Sequence, residues 1–185
     1  MTKALLPTGF RDRLPPEADA SARLVRSVLD TVASYGYERV QTPLAEYEAS
    51  LTAALGTSSR DLLRFVDPVS GETMAIRSDI TGQIGRIARG RMGHHPRPLR
   101  LSYGGPVVTL RATQLRPERE LMQVGAELIG LDSVAAVAEV GMPRVSSGIS
   151  TPAAAALLAA SGPATPSMAP WPNSSGCFVN FFSME

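Results

Sequence analysis

Lysine is almost missing from this sequence. Lys3 is the only one, and the other 17 basic side chains are arginines. Such a bias suggests a GC-rich coding sequence. Cysteine is nearly as scarce. Cys177 alone cannot close an internal disulfide or build a cysteine metal cluster, which fits a reducing compartment. Charge is modest, with 19% charged residues and a net charge of +1. No clustered basic face is visible, so a nucleic-acid partner is not expected. The start "MTKALLPTGFRDRLPP" lacks the apolar core of a secretory signal. The longest apolar run lies near "AAAALLAA", residues 153–160, and is too short to cross a bilayer. A soluble cytoplasmic protein without a membrane partner is the expectation. P-loop, dinucleotide-binding and nucleophile-elbow patterns are all missing, and no cofactor is expected.

What is present is one well-patterned section followed by a very different one. The 185 residues suffice for one domain with a real core. Residues 1–140 hold 33 charged side chains, and residues 141–185 hold two, Arg144 and Glu185. Of those last 45 residues, 26 are Ala, Pro, Ser or Gly, and no helical or strand period runs through them. We expect a partial domain over 1–140 and an aberrant or disordered tail over 141–185. A frameshift near codon 140 of a GC-rich gene would yield such a tail.

The front section reads as mixed helices and hairpins. "PPEADASARLVRSVLDTVASYG" places Leu24, Val28, Leu29 and Val32 on one helical face, with Gly36 as the stop. "YERVQTP" is a short strand closed by Pro43, and "LAEYEASLTAALG" a second helix ending at Gly56. "LLRFVDPVSGETMAIRSD" is a hairpin turning around Asp67-Pro68 and Ser70-Gly71. "SDITGQIGRIARG" opens a third helix, with Ser78 or Asp79 as N-cap and Gly90 as stop. "RPLRLSYGGPVVTL" and "ERELMQVGAELIG" are the last two strands, and "DSVAAVAEV" begins a helix. Without regular strand–helix–strand alternation, the class is α+β.

Chemistry concentrates on the last strand. Alternation puts Leu121, Gln123, Gly125, Glu127 and Ile129 on one side and a mostly apolar set on the other, against a helix. Gly125 would leave an open floor between a carboxamide and a carboxylate. That suits a small ligand with amine or imidazole N–H donors. An ordinary polar sheet face explains the same pattern. Asp79 is either a helix cap or a carboxylate facing a ligand ammonium. Arg77 could bind an anion or form a structural ion pair. His94 and His95 lack partners at metal-ligand spacing, so we read them as loop residues.

In order along the chain, "LLPTGFRDRLPPEA", "YGYERVQTPLAEYEASL", "FVDPVSGETMAIRSDITGQIGRIA" and "PLRLSYGGPVVTLRATQLRPERELMQVGAELIG" resemble the class II catalytic domain of histidyl-tRNA synthetases. They resemble more closely the regulatory subunits of short-form ATP phosphoribosyltransferases, paralogues that are not synthetases. The resemblance covers roughly residues 5–140. It implies an antiparallel class II sheet with flanking helices, left incomplete here. The synthetases carry Gly-Pro-x-x-Arg-x-Glu in motif 2, then a Gln-x-x-x-Glu strand. Gly105, Pro106, Gln123 and Glu127 match; Thr109 stands at the arginine position and Arg111 at the glutamate. That arginine stabilises charge during adenylation.

The resemblance implies that Asp79, Gln123 and Glu127, with Thr109 at the motif 2 position, form a retained histidine site without catalytic residues or a metal. It implies a regulatory subunit rather than an enzyme, working with a separate catalytic subunit in the first step of histidine biosynthesis and sensing histidine as effector. It also implies self-association through the motif 1-like stretch. A fragment of a histidyl-tRNA synthetase is the alternative. The family's helical insertion, Arg-Gly-x-x-Tyr-Tyr segment and motif 3 are not visible. The sheet is therefore expected to have an unpaired edge.

Overall fold

The computed structural model describes residues 6–55, 61–111, 117–131, 176–177 and 183–184. Helix α1 (Glu17–Ser34) leads to strand β1 (Glu38–Arg39), strand β2 (Ala45–Tyr47) and helix α2 (Glu48–Leu55). The hairpin β3 (Leu63–Val66) and β4 (Thr73–Ile76) precedes helix α3 (Thr81–Gly90). Two ten-residue strands follow, β5 (Leu99–Val108) and β6 (Glu120–Ile129). Two short strands, β7 (Gly176–Cys177) and β8 (Ser183–Met184), come last.

The central sheet is ordered β1-β5-β6-β7, with β8 also pairing β6. The β5–β6 pair is antiparallel throughout, from Leu99 opposite Ile129 to Val108 opposite Glu120. β1 runs parallel to β5, a departure from the purely antiparallel expectation. A second, antiparallel sheet has the order β2-β4-β3. The outer side of β6 is paired at two places. Leu128 and Ile129 meet β7, and Met122 and Gln123 meet β8.

Each face of the β5–β6 ribbon carries a helix. On one side α1 buries Val28, Leu29 and Val32, which pack around Val124 and Ala126. These belong to the helical face read from the sequence. Burying one such aliphatic side chain contributes roughly 1.5–3 kcal/mol. Gly104 faces this helix, and a Cβ there would make ordinary contact with Leu29 Cδ1 at 3.4 Å. On the other side Ile80, just before α3, and Ile84 and Ala88 within it pack against Leu99, Leu101, Tyr103, Val107, Leu121 and Ile129. The Gln123–Glu127 face is therefore covered, not solvated.

Several boundaries differ from the pattern-based ones. Ala45–Tyr47 pairs with β4, so the second helix begins only at Glu48. Gly36 ends α1 with φ +82°, a conformation that disfavours side chains. Gly90 is instead the last helical residue of α3, and Arg91 follows with right-handed φ. The turn of the β3–β4 hairpin is as expected: Asp67 accepts from the amides of Val69 and Ser70 and from the Ser70 hydroxyl. The "DSVAAVAEV" segment and Gly56 lie outside the described residues.

Candidate ligand site on the β6 strand

The site is built where the start of α3 meets the middle of β6. Leaving β4, the chain turns at Ser78-Asp79 and enters α3. The geometrical N-cap is Ile80, not Ser78 or Asp79. Asp79 still serves the helix start, because its Oδ1 accepts from the Thr81 amide at 2.6 Å. Its Oδ2 accepts from Gln123 Nε2 at 3.1 Å. Gln123 Oε1 accepts in turn from the Ile80 amide at 2.8 Å. The carboxamide is thereby oriented unambiguously, nitrogen to Asp79 and oxygen to the helix. Asp79 thus supports the start of the helix and is tied to the strand through Gln123.

Four residues further along β6, Glu127 is fully buried, and its Oε1 accepts from the Tyr103 hydroxyl at 3.0 Å. Tyr103 is opposite Gly125 in the β5–β6 register. Its ring covers the glycine so closely that a Cβ there would collide with Cζ and Oη. The open floor expected at Gly125 is thus occupied by the protein's own phenol. The Thr81 hydroxyl lies 3.1 Å from the Tyr103 oxygen. Burial pushes the Tyr103 phenol well above the ordinary tyrosine pKa, and the Glu127 charge adds to the effect. Tyr103 is consequently a hydrogen-bond donor throughout the physiological range.

Asp79, Gln123 and Glu127 are brought together, as a half-exposed rim and a buried interior. Thr109 is not brought to them. It lies one residue past the Val108–Glu120 pair, four positions from the Gly105–Gln123 pair, or roughly 13 Å along the strand. Its amide donates to Arg119 O at 2.8 Å, and its carbonyl accepts from Arg119 Nε at 3.1 Å. Thr109 closes the base of the β5–β6 loop.

Tyr103 and Thr81 were missed in the sequence. Tyr103 looked like one strand aromatic among apolar neighbours, and only the register sets it over Gly125. Thr81 carried a weak signal, two positions after Asp79.

Arg77 takes neither of its expected roles. The buried guanidinium donates to Pro106 O at 2.8 Å, Thr42 O at 3.0 Å and Thr42 Oγ1 at 2.6 Å. Burial lowers its pKa from the ordinary arginine value, partly offset by Glu46. It ties the segment after β1 to β5 and α3, crossing the space that a Cβ at Gly105 would fill. His94 and His95 are exposed loop residues with ring centroids 4.6 Å apart. Among the described residues there is no group of three or more His, Cys, Asp or Glu able to hold a metal. No described helix is long and apolar enough to cross a membrane.

Two long antiparallel strands sandwiched between helices, with a polar cluster on the sheet, define the class II synthetase-like fold. The profile of the family described as histidyl-tRNA synthetase matches residues 9–142. The chain belongs to this family. Its curated relatives include ATP phosphoribosyltransferase regulatory subunits. That of Paramagnetospirillum magneticum is 46% identical over 162 residues, covering 81% of this chain and 43% of the relative. That of Rhodospirillum centenum is 50% identical over 138 residues, covering 74% and 36%. A crystal structure described as an ATP phosphoribosyltransferase regulatory subunit/histidyl-tRNA synthetase from Bacillus halodurans superposes with a TM-score of 0.65 at 29% identity. It covers 76% of this chain and 37% of that one. The chain thus spans about two fifths of the length of the curated relatives it matches.

Proposed function

We propose that this chain carries the histidine-recognition part of an ATP phosphoribosyltransferase regulatory subunit in the cytoplasm. The observation that supports it is the convergence of Asp79, Gln123 and Glu127 at one junction of strand and helix. In this reading the half-exposed Asp79 receives the ligand ammonium, with Gln123 holding it in place. The buried Glu127 accepts from an imidazole N–H. A carboxylate can accept several hydrogen bonds at once, so a ligand N–H can join the phenol at Glu127. Glu127 has no exposed surface in this state, so a ligand reaches it only when residues packed over it other than Tyr103 move aside.

Thr109 has no cationic group to stabilise an adenylation transition state, so the reading is non-enzymatic. The subunit acts with a separate short-form catalytic subunit and associates with itself through the motif 1-like region. Histidine works by binding one state of that assembly better than another. The family match over residues 9–142 supports reading 1–140 as a partial domain of this family.

The test combines the purified chain with a short-form catalytic subunit and follows condensation of ATP with phosphoribosyl pyrophosphate. Stimulation by the chain, reduced by histidine, is expected. No change in rate at any ratio of the two would overturn the reading. A synthetase fragment is the second reading, favoured by the family profile itself. Histidine-dependent ATP–pyrophosphate exchange by the chain alone would select it.

A further inference from the structure

Gly125 gives up its own side chain to a specific neighbour. The Tyr103 ring fills the space above it, and the phenol reaches Glu127 on the same face of β6. The phenol has one proton, and that proton is donated to Glu127 Oε1. Towards Thr81 the phenol oxygen is therefore the acceptor, and the Thr81 hydroxyl the donor. A directed chain results, from Thr81 through Tyr103 to Glu127, anchored at the first residue of α3. Tyr103 is only 1% exposed and lies in the core formed with Ile80 and Ile84. It cannot drift without disturbing that core.

We propose that Tyr103 is a positioning residue that makes the site selective for a ring N–H donor. The proposal rests on the histidine reading above. By donating to Oε1, the phenol helps to set the orientation in which the Glu127 carboxylate meets a ligand ring. A ligand ring with an N–H meets a prepared acceptor. A ring of the same size without one leaves that acceptor facing a carbon or sulfur edge. The ammonium end is held separately by Asp79 and Gln123 and does not depend on Tyr103.

The experiment compares two ligands on the full chain by calorimetry: histidine and 3-(2-thienyl)alanine. The second keeps the ammonium, the carboxylate and a five-membered ring but has no ring N–H. For the wild type, histidine is expected to bind at least about tenfold more tightly, the worth of one hydrogen bond to a charged group. Tyr103→Phe keeps the ring and removes the hydroxyl. It should weaken histidine binding by about tenfold and leave the thienyl ligand unchanged, so the preference collapses. A purely structural role would weaken both ligands in proportion and overturn the proposal. Tighter histidine binding by Tyr103→Phe would also overturn it, by making the phenol a competitor. If Tyr103→Phe does not fold, Thr81→Val decides, with a smaller shift in the same direction expected and an unchanged preference counting against. A wild type that binds neither ligand removes the histidine reading and this proposal together. One that binds both equally removes the proposal alone.

Discussion

The Tyr103 phenol lies over Gly125 and replaces the side chain that residue lacks. The first prediction follows from this fit. Gly125→Ala places a methyl group inside the ring and should destabilise the fold by about 1–3 kcal/mol, the usual cost of overfilling a packed core. In a Tyr103→Leu background the added cost should shrink, because the colliding atoms are gone. Urea unfolding of the four proteins closes the cycle. Equal costs in both backgrounds would mean that the glycine is needed for something other than the phenol.

Arg77 supplies the second prediction. It satisfies the carbonyls of Thr42 and Pro106 from a buried position. Arg77→Met leaves those acceptors without their donor and should cost about 2–5 kcal/mol. Arg77→Lys should recover only part of this, because an ammonium cannot match the planar fork that reaches both segments. Urea midpoints measure both variants. A methionine variant as stable as the wild type would contradict the tie.

The distribution of what was legible follows from these two residues. Helix α1, both long strands and the Asp67 turn could be read because period, turn chemistry and length all agreed on them. Asp79, Gln123 and Glu127 came from resemblance. Pattern alone could not tell a site from a polar sheet face, since alternation shows which residues share a face but not what covers it. Tyr103 over Gly125 depends on the pairing register of two strands, which neither strand encodes alone. Arg77 depends on contacts more than 25 residues away in the chain, and its type alone fits an anion site as well as a tie. Thr109 shares a motif with the site but lies past the end of the strand, beyond reach of it.

A third prediction concerns alkaline pH. The folded-state pKa of Tyr103 is raised by burial and by Glu127. Below the ordinary tyrosine value of about 10 the phenol is neutral in both states, and its contribution to stability is fully present. Above it the unfolded chain ionises while folded Tyr103 does not. Stability should therefore fall as pH rises towards the folded pKa. In Tyr103→Phe that fall should be shallower. Urea midpoints taken upward from pH of about 9 test this. Parallel pH dependences would contradict the assignment.

Acid pH gives the fourth. The Ser70 hydroxyl, then the amides of Val69 and Ser70, hold the Asp67 carboxyl below its usual range. Its contribution is present above the unfolded value of about 3.9 and lost as pH falls through the folded one. Asp67→Asn should show a shallower loss of thermal stability in acid than the wild type. An identical acid profile would mean that the turn does not depend on the charge.

The central claim is that Glu127 receives histidine, and one calorimetric comparison tests it most directly. The wild-type chain and Glu127→Gln are titrated with histidine after thermal melts have established that both are folded. Glutamine keeps the shape and one acceptor but removes the charge. The account predicts measurable binding by the wild type and a loss of about tenfold or more in the variant, as for a hydrogen bond to a charged group. Equal affinities in two folded proteins would contradict it and make Glu127 a structural partner of Tyr103.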